Sequence, residues 1–409
     1  MGRASRGKKQ RDRDTAGTWN AAKAARTAHQ ARADTERLLQ DNPWVRAMLA
    51  SNISNRMAEL RAVLGHSDVP EQHRENLAFA MMIGKQGWKP PWPPGPAQAA
   101  RWQTQQILQL LDRAEVLVIS PAAHAAVMAA ASTLEPADVA TLDKDRDILI
   151  PTGVLILPEP VIVENRGGSL SDIRAFGWQP ITQHQVLPDA QYPGVQLTCF
   201  MDRDGPVQPE SWRMAVAQAR ATGSPLPPLV PDGIYGMRAD SALSTASSEQ
   251  HAALSEEHRG LNRALNQVAE YNAVPPEEGQ WDGGRIVDVY DDFAFRYAFA
   301  FWRLATQGIT VLAAPTGSGT PTYEARPRGT LSEPNVRVIR LAHQIPAQRS
   351  AEDEGGTSRA YHHRWTVRMH KVRQWYPSTQ EHRMIWRGPY IKGPADAPFM
   401  IAEKAYAVD

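Results

Sequence analysis

The stretch from Val154 to Trp178, VLILPEPVIVENRGGSLSDIRAFGW, decides the fold class. Short runs of β-branched and aromatic residues alternate here with Pro, Gly and Asp, as in strands that are joined by turns. The runs predicted as strands, within this stretch and on either side of it, are Ile148–Ile150, Val154–Leu157, Val161–Val163, Ile173–Trp178 and Val195–Phe200. We therefore expect a meander or a small mixed sheet over residues 147–200.

Helical patterns precede these strands. Asn42 and Pro43 predict a helix start, with Asn as the cap and Pro in the first turn. Up to Gly65, apolar residues recur three and four positions apart, namely Val45, Leu49, Ile53, Met57, Leu60 and Leu64. The further elements predicted before residue 147 are a helix from Asp68 to about Ile83, a helix through Ala100–Leu111, a buried strand at Glu115–Ser120 and an alanine-rich helix from Pro121.

The C-terminal half has fewer strong patterns. Residues 203–285 are rich in Pro, Gly, Ser, Ala and Glu, so we expect mostly loop, with one helix around Ser248–Tyr271. Phe293–Leu304 is apolar on all sides, which predicts a buried helix. Asp291 or Asp292, just before it, is expected to cap this helix.

Together these patterns predict an α+β protein with a helical N-terminal region, a mixed central region and a C-terminal β-rich unit. Residues 1–35 have almost no large apolar side chain, which predicts a disordered basic arm, with a helix from Thr18 as the alternative. The predicted segments are this arm (1–35), a helical region (36–89), a Pro-rich linker (90–96), an α/β region with a short-stranded sheet (97–202), a largely loop segment with one helix (203–285), and an aromatic helix with a β-rich basic domain (286–409).

The charges are segregated along the chain. The 409 residues have a net charge of +1, which taken alone argues against a polyanionic partner. However, residues 1–32 carry nine basic and two acidic residues, and residues 359–392 carry eight basic residues and one acidic residue. Each end is therefore +7 and the remainder is −13. Both ends are candidates for contact with phosphates.

Composition excludes several classes of protein. No apolar stretch approaches the ~20 residues of a membrane span, so we expect no membrane association. The basic N-terminus is not followed by an apolar core, so it is not a secretory signal. Cys199 is the single cysteine and can form neither an internal disulfide nor a cysteine-based zinc site, which fits a reducing cytoplasm. No cofactor and no metal site is predicted.

Two stretches resemble ligand-binding loops but lack residues that such loops need. Ile309–Thr320, ITVLAAPTGSGT, resembles a helicase-type phosphate loop, but Thr320 stands where the phosphate-binding Lys belongs, so an ordinary loop is favoured. Asp143–Asp147 begins like a calcium loop, but Ile148 and Val154 stand where Gly and Glu are required. This second stretch is predicted to be a solvated turn before a strand.

The segment Tyr361–Pro398 has the strongest functional pattern. A strand over His362–His370 would have one basic, polar face and one apolar face, and a second strand is expected to return after a turn at Tyr376–Thr379. Cations for phosphates and aromatic planes for bases are what nucleic-acid binding needs. The residues predicted to contact nucleic acid are Arg364, Arg368, Lys371, Arg373, Arg383, Arg387, Lys392, Trp375 and Tyr376. The alternatives are aromatic residues in a core, favoured for Trp365 and Trp386, and arginines on a solvated face or in ion pairs with the acidic middle.

Catalysis is the sharper alternative at the same segment. His370 and His382 on neighbouring strands could act as general base and general acid on RNA, with nearby cations stabilising the charge of the transition state. Such a metal-independent ribonuclease needs no cofactor. The opposing interpretation is that these are structural histidines held by hydrogen bonds.

A family resemblance appears at these residues. The pattern H-R-W-x-V-R-x-H-x-x-R-x-Q-W-Y-P-S at His363–Ser378, followed by H-R-x-x-W at His382–Trp386 and Y-x-K-G-P-x-x-A-P at Tyr390–Pro398, resembles the C-terminus of an uncharacterised family from high-GC Gram-positive (actinobacterial) genomes, phages and plasmids. The resemblance covers roughly the last 75 residues, including a predicted strand at Val336–Leu341, and Met369 stands where many such sequences have Gly. The family has no known activity, so the resemblance implies a context and no mechanism.

Three functional hypotheses follow. The leading one is a cytoplasmic, non-enzymatic protein of a mobile element or phage that binds DNA or RNA through the N-terminal arm and the C-terminal cations. The second is the metal-independent ribonuclease or toxin. The third is an interaction or scaffold protein whose basic ends bind the acidic middle, within one chain or by self-association.

Overall fold

The computed structural model describes residues 19–65, 70–71, 74–75, 78, 95–148, 150–165, 170–183, 191–238, 253, 256, 285–288, 292–306, 310–312, 336–341, 364–376 and 380–393. Within these ranges, a mixed eight-stranded sheet is covered by helices on both faces. The α+β prediction is therefore confirmed.

The elements are numbered in chain order. The helices are α1 (Ala21–Leu39), α2 (Pro43–Gly65), α3 (Pro96–Arg113), α4 (Pro121–Ala131), α5 (Pro136–Val139), α6 (Lys144–Asp147), α7 (Glu210–Ala221) and α8 (Phe293–Ala305). The strands are β1 (Glu115–Ile119), β2 (Gly153–Asn165), β3 (Leu170–Gln183), β4 (Gln191–Asp202), β5 (Leu229–Arg238), β6 (Arg285–Asp288), β7 (Thr310–Leu312), β8 (Val336–Leu341), β9 (Trp365–Val367), β10 (His370–Tyr376), β11 (Glu381–Arg387) and β12 (Tyr390–Lys392). The order in the main sheet is β5-β4-β3-β2-β1-β8-β7, with β6 paired to β2.

Strand β1 lies inside the sheet and runs parallel to both of its neighbours, β2 and β8. All of its residues after Glu115 are apolar and buried, because helices cover both faces. The predicted buried strand at Glu115–Ser120 is therefore confirmed, and so is the alanine-rich helix that follows it. Oγ of Ser120 accepts a hydrogen bond from the backbone N–H of Ala123 and caps α4.

The other half of the sheet is the predicted meander, with β2, β3, β4 and β5 in antiparallel order. Val154–Leu157 and Val161–Val163, predicted as separate strands, both belong to β2, whose register with β3 shifts between them. Pro158 and Pro160 lie in this interval and cannot donate ladder hydrogen bonds, which accounts for the irregularity.

The segment before β2 differs from its prediction. No strand includes Ile148 or Ile150; instead Asp143 caps α6 by accepting a hydrogen bond from the backbone N–H of Asp145. The predicted solvated turn is also wrong, because the Asp147 side chain is only 3% exposed and its Oδ1 lies 2.9 Å from Nη1 of Arg303 in α8. A buried ion pair thus stands where the sequence favoured exposed charge.

Two layers of helix bury the two faces of the sheet. α1, α2, α3 and α7 cover one face, and α4 and α8 cover the other. The predicted apolar stripe of α2 is confirmed, since its six residues are the buried residues of that helix. The predicted cap is confirmed too: Oδ1 of Asn42 accepts hydrogen bonds from the backbone N–H groups of Trp44 at 3.0 Å and Val45 at 3.2 Å.

The basic arm is helical where the structure describes it. The predicted disorder is wrong from Ala21 onward, and the helical alternative is confirmed there. Ala25, Ala28 and Thr35 are buried, because small side chains let α1 lie close to the sheet. Oγ1 of Thr35 accepts a hydrogen bond from the backbone N–H of Leu229 at 3.2 Å. Residues 1–18 lie outside the described ranges.

Residues 203–285 contain more regular structure than predicted, namely α7 and β5. Strand β5 includes Pro231, Asp232 and Gly233, whose composition indicates a turn, but a strand paired on one side tolerates proline. Most of the helix predicted around Ser248–Tyr271, most of the helix predicted from Asp68, most of the Pro-rich linker and the loop after Leu312 lie outside the described residues. Ala253 and Glu256 are described and helical, and Pro96 of the predicted linker begins α3.

Helix α8 is buried as predicted, with nine of its 13 residues in the core. Asp292 occupies the N-cap position as predicted, but its side chain makes no capping hydrogen bond, and Asp291 lies outside the described residues. The carboxylate of Asp288 accepts hydrogen bonds from the backbone N–H groups of Asp292 at 3.0 Å and Phe293 at 3.3 Å. The carboxylate of Asp292 instead binds Nε of Arg296 at 2.7 Å.

Candidate nucleic-acid interface

The C-terminal unit is one long β-hairpin with an irregular interval. β10 pairs with β11 near the turn, and β9 pairs with β12 at the open end. The returning strand is confirmed, but the continuous strand predicted over His362–His370 is wrong, because Arg368 and Met369 separate β9 from β10. His362 and His363 lie outside the described residues.

The open end of the hairpin is anchored in the core beneath α4 and α8. Met369 is 9% exposed and belongs to this core, and Ile391 packs against it. Gly388 has a φ of +101°, and a Cβ there would lie 3.0 Å from the carbonyl oxygen of Arg368. The backbone segments around Arg368 and Gly388 can therefore lie this close together only because residue 388 is glycine. Burial of Met369 is also the reason that β9 and β10 are not continuous.

The side chain of Arg368 contacts two residues that follow helix α4. Its Nε donates a hydrogen bond to the carbonyl oxygen of Thr133 at 3.2 Å, and its Nη2 lies 3.5 Å from Oε1 of Glu135. These contacts hold Arg368, between β9 and β10, against the loop that connects α4 and α5. The predicted phosphate contact of Arg368 thus competes with an ion pair to the acidic middle of the chain.

We call β10 and β11 the ribbon. None of its side chains that the structure describes is buried. Directly paired residues share a face, so the register of the two strands assigns each described side chain to one of two faces. We define face 1 as Lys371, Arg373, Trp375 and His382, and face 2 as His370, Val372, Gln374 and Arg387.

Face 1 combines cations with an exposed aromatic ring. Lys371, Arg373 and Trp375 are each two residues apart on one strand, a spacing of about 7 Å per step. Trp375 is 44% exposed, and the centroids of its ring and the His382 ring lie 4.9 Å apart. Arg373 is exposed and forms no ion pair with a described residue. This face therefore places positive charge beside an accessible aromatic plane.

The two predicted catalytic histidines are not brought together. His370 lies opposite Arg387 in the register and His382 lies opposite Trp375, so the two histidines are on different faces. The five register positions between them correspond to about 17 Å. Nδ1 of His370 instead donates a hydrogen bond to the carbonyl oxygen of Arg368 at 2.9 Å. The acid–base pair of the ribonuclease hypothesis is not formed.

The remaining predicted contact residues surround the ribbon. Arg364 is half-buried at the start of the unit, and Lys392 is exposed at the end of β12. In the register of the ribbon, Arg383 is opposite Gln374 and Tyr376 is opposite Glu381. Residues 370–387 carry four basic residues and one acidic residue, so the ribbon region has a net charge of +3.

The two basic ends lie on different sides of the sheet, as far as the structure describes them. Helix α1 belongs to the core on one face, whereas Met369 and Ile391 belong to the core on the other. Lys23 and Arg26 of α1 are exposed there, and Arg32 lies 3.6 Å from Glu36. The described part of the N-terminal segment does not extend the charge of the ribbon.

Two small cavities lie against helix α8 in the described part of the chain. They lie beside Phe301 and Ala305, and each holds about 10 Å³. This volume suits one water molecule, whereas pockets for small ligands are about 300–1,000 Å³. Neither cavity has the volume of a small-ligand pocket.

Sequence reasoning missed a buried histidine. Nδ1 of His124 in α4 lies 2.7 Å from the hydroxyl oxygen of Tyr297 in α8. Burial, together with the positive charge of Arg174, lowers the pKa of His124 from 6.5 to about 4. The only sequence signal was the position of His124 on an alanine-rich helix that faces an aromatic one.

We expect His124 to make stability depend on pH. Between pH 6.5 and about 4, the unfolded chain binds a proton at this residue and the folded chain does not. Stability is therefore lost as pH falls through this window, by about 3 kcal/mol in all. The measurement is denaturant unfolding of the wild type and of His124→Gln from pH 7.5 to about 4. A stability difference between the two proteins that stays constant with pH would contradict the assignment.

In the part of the chain that the structure describes, no helix is both long enough and apolar enough to cross a membrane. Models of protein families, curated proteins and solved structures offer no match to this chain. The resemblance of the C-terminal segment to actinobacterial proteins therefore stays a prediction, and function has to be argued from the geometry of the ribbon.

Proposed function

We propose that the chain is a non-enzymatic nucleic-acid-binding protein and that the ribbon is its contact surface. The observation that carries the proposal is that a two-stranded ribbon, none of whose described side chains is buried, presents the exposed Arg373 two residues from the exposed Trp375. The cytoplasmic location and the mobile-element or phage context belong to the same proposal, the latter on the C-terminal resemblance alone.

Charge supports a polyanionic ligand. Arg373 forms no ion pair with any described residue, and Glu381 is the one acidic residue of the ribbon region. Each cation that binds a phosphate releases counterions, so such a surface gains affinity mainly at low salt. The chain as a whole is near neutral because two basic ends offset an acidic middle, and the ribbon lies within the C-terminal basic end.

The exposure of the ribbon supports a ligand of some kind. A two-stranded hairpin alone is marginally stable in water, and among the described side chains of this one, Met369 and Ile391 at the open end are those that contact the core. A bound polyanion that contacts the cations of β10 and β11 would stabilise the remainder. The described side chains beyond the open end, such as Arg373 and Trp375, are therefore available to a ligand.

Arg373→Ala is expected to weaken binding of the full chain to a mixed-sequence oligonucleotide by about three- to tenfold and to reduce the salt slope by about 1, because one phosphate contact is lost. Fluorescence anisotropy over a range of salt concentrations measures both quantities. Arg213→Ala is the matched control, since Arg213 is also exposed but lies on α7, behind the opposite face of the sheet. We expect this control to bind like the wild type.

Two results would contradict the proposed function. One is the absence of binding to any nucleic acid at low salt. The other is an equal effect of Arg373→Ala and Arg213→Ala, which would make the attraction diffuse and favour an acidic protein or another copy of the chain as the partner. The ribonuclease hypothesis is not carried further, because the register separates His370 from His382.

A further inference from the structure

We propose that the ligand of the ribbon is single-stranded nucleic acid, bound along face 1 with a base stacked on Trp375. This inference rests on the proposed function and adds the class of nucleic acid and the face that binds it. It follows from which side chains share a face and from the exposure of one indole.

The exposure of Trp375 is unusual for this protein. Trp178, Trp302 and Tyr297 are at most 2% exposed, whereas Trp375 is 44% exposed. Among the described residues, only Trp375 and Met214 are large hydrophobic side chains with this degree of exposure. A base that stacks on the indole removes apolar area from water and contributes about 1–3 kcal/mol, as in other single-strand-binding proteins.

A base in a duplex can stack on Trp375 only after it has been unstacked from its neighbours, which costs free energy. The planes of paired bases are covered by their neighbours, and opening a base step costs a few kcal/mol. This cost is about the size of the stacking gain, so a duplex would gain little from Trp375. A single strand presents its base planes without that cost, and it is therefore the better ligand.

The cations of face 1 are placed for the backbone of the same strand. Arg373 lies two residues from Trp375 on β10, and Lys371 lies two residues further along. Side chains at this spacing point to the same side and are about 7 Å apart per step. A nucleic-acid strand that runs along β10 would pass the indole and both cations.

Face 2 offers an internal control. Arg387 is exposed like Arg373 and lies on the same ribbon, but on the other face. A single strand on face 1 leaves Arg387 without a role. A ribbon inserted into the groove of a duplex would instead have phosphates on both sides, and both arginines would then contribute.

The experiment compares the full chain with single-stranded DNA, single-stranded RNA and duplex DNA of the same length and sequence, by anisotropy at one low salt concentration. We expect at least one single strand to bind about tenfold tighter than the duplex. Trp375→Ala is expected to weaken single-strand binding by about five- to 150-fold, the range that corresponds to one stacked base. Trp375→Phe should retain part of the affinity, and Arg387→Ala should stay within about twofold of the wild type.

Each other outcome has a definite meaning. Duplex binding as tight as single-strand binding, or a loss for Arg387→Ala equal to that for Arg373→Ala, overturns this inference and leaves the proposed function standing. Unchanged binding by Trp375→Ala, with the loss for Arg373→Ala retained, also overturns the inference alone. No binding of any of the three nucleic acids overturns both. Since Trp375 is exposed, its variants are expected to fold, which denaturant unfolding verifies.

Discussion

Asp147→Ala is expected to lower the free energy of unfolding by about 3–5 kcal/mol, because it leaves the buried guanidinium of Arg303 without its partner. Oδ1 of Asp147 lies 2.9 Å from Nη1 of Arg303, and the two side chains are 3% and 12% exposed. Burial lowers the pKa of Arg303 and the Asp147 charge raises it, so the carboxylate compensates for the desolvation. Nε and Nη2 of Arg303 form no hydrogen bond with a described residue, and the guanidinium carbon lies 5.2 Å from the centroid of the Phe299 ring.

Denaturant unfolding of the full chain measures this loss, and Asp145→Ala is its matched control. Asp145 belongs to the same short helix, but its side chain is 81% exposed and pairs only with Lys144. An exposed ion pair contributes at most about 1 kcal/mol, so the control should change little. Equal losses for the two variants would assign the effect to the helix α6 and not to the buried ion pair.

Trp178→Ala is expected to destabilise the protein by about 3–5 kcal/mol, as other truncations of large buried aromatic residues do. The side chain is 2% exposed and contacts the rings of Phe301 and Trp302, with centroids 5.8 and 5.9 Å away. Its Nε1 also donates a hydrogen bond of 2.7 Å to the carbonyl oxygen of Ile150, which the variant leaves without this donor. The cavity cannot collapse easily, because β3 carries this residue inside the sheet.

Thermal and denaturant unfolding test this expectation, with Trp375→Ala as the control of equal size. Trp375 is exposed, so its truncation should change stability by no more than about 0.5 kcal/mol. Trp178→Phe should lie between the wild type and Trp178→Ala, since part of the ring contact remains. A loss below about 1 kcal/mol for Trp178→Ala would mean that the core under α8 is looser than its burial indicates.

Both predictions concern the core that also holds the ribbon. Trp178 and Phe301 belong to the same buried cluster as Met369, the anchor of the C-terminal hairpin. The ribbon therefore depends on the part of the protein that these variants weaken. Trp375 and Arg373 lie outside this core, so their variants separate binding from stability.

Much of the proposed contact surface was predictable from composition. The cations and aromatic residues of β10 and β11, and the turn between these strands, are apparent as a basic, aromatic segment with a Pro-Ser turn. The grouping of these residues was not predictable. Alternation along one strand assigns relative faces only while the strand is continuous, and the burial of Met369 interrupts it. The histidine pair was predicted from neighbouring strands alone, and the register that separates the two residues is set by the pairing of those strands.

The sequence by itself determined the elements whose signals are local. The stripe of α2 with its Asn42 cap, the buried strand β1 and the apolar helix α8 all follow from periodicity, capping residues and composition within a short window. These signals act between residues a few positions apart. The elements that these signals predict therefore do not depend on which distant segments they contact.

Only the tertiary structure decided which distant segments meet. Helix α1 is ordered because its alanines lie against the sheet, and Asp147 is buried because Arg303, 156 residues later, supplies the opposite charge. The same holds for the hairpin, whose faces are set by the register between β10 and β11 and by the anchor at Met369. Such contacts depend on the relative positions of whole elements, which no local pattern specifies.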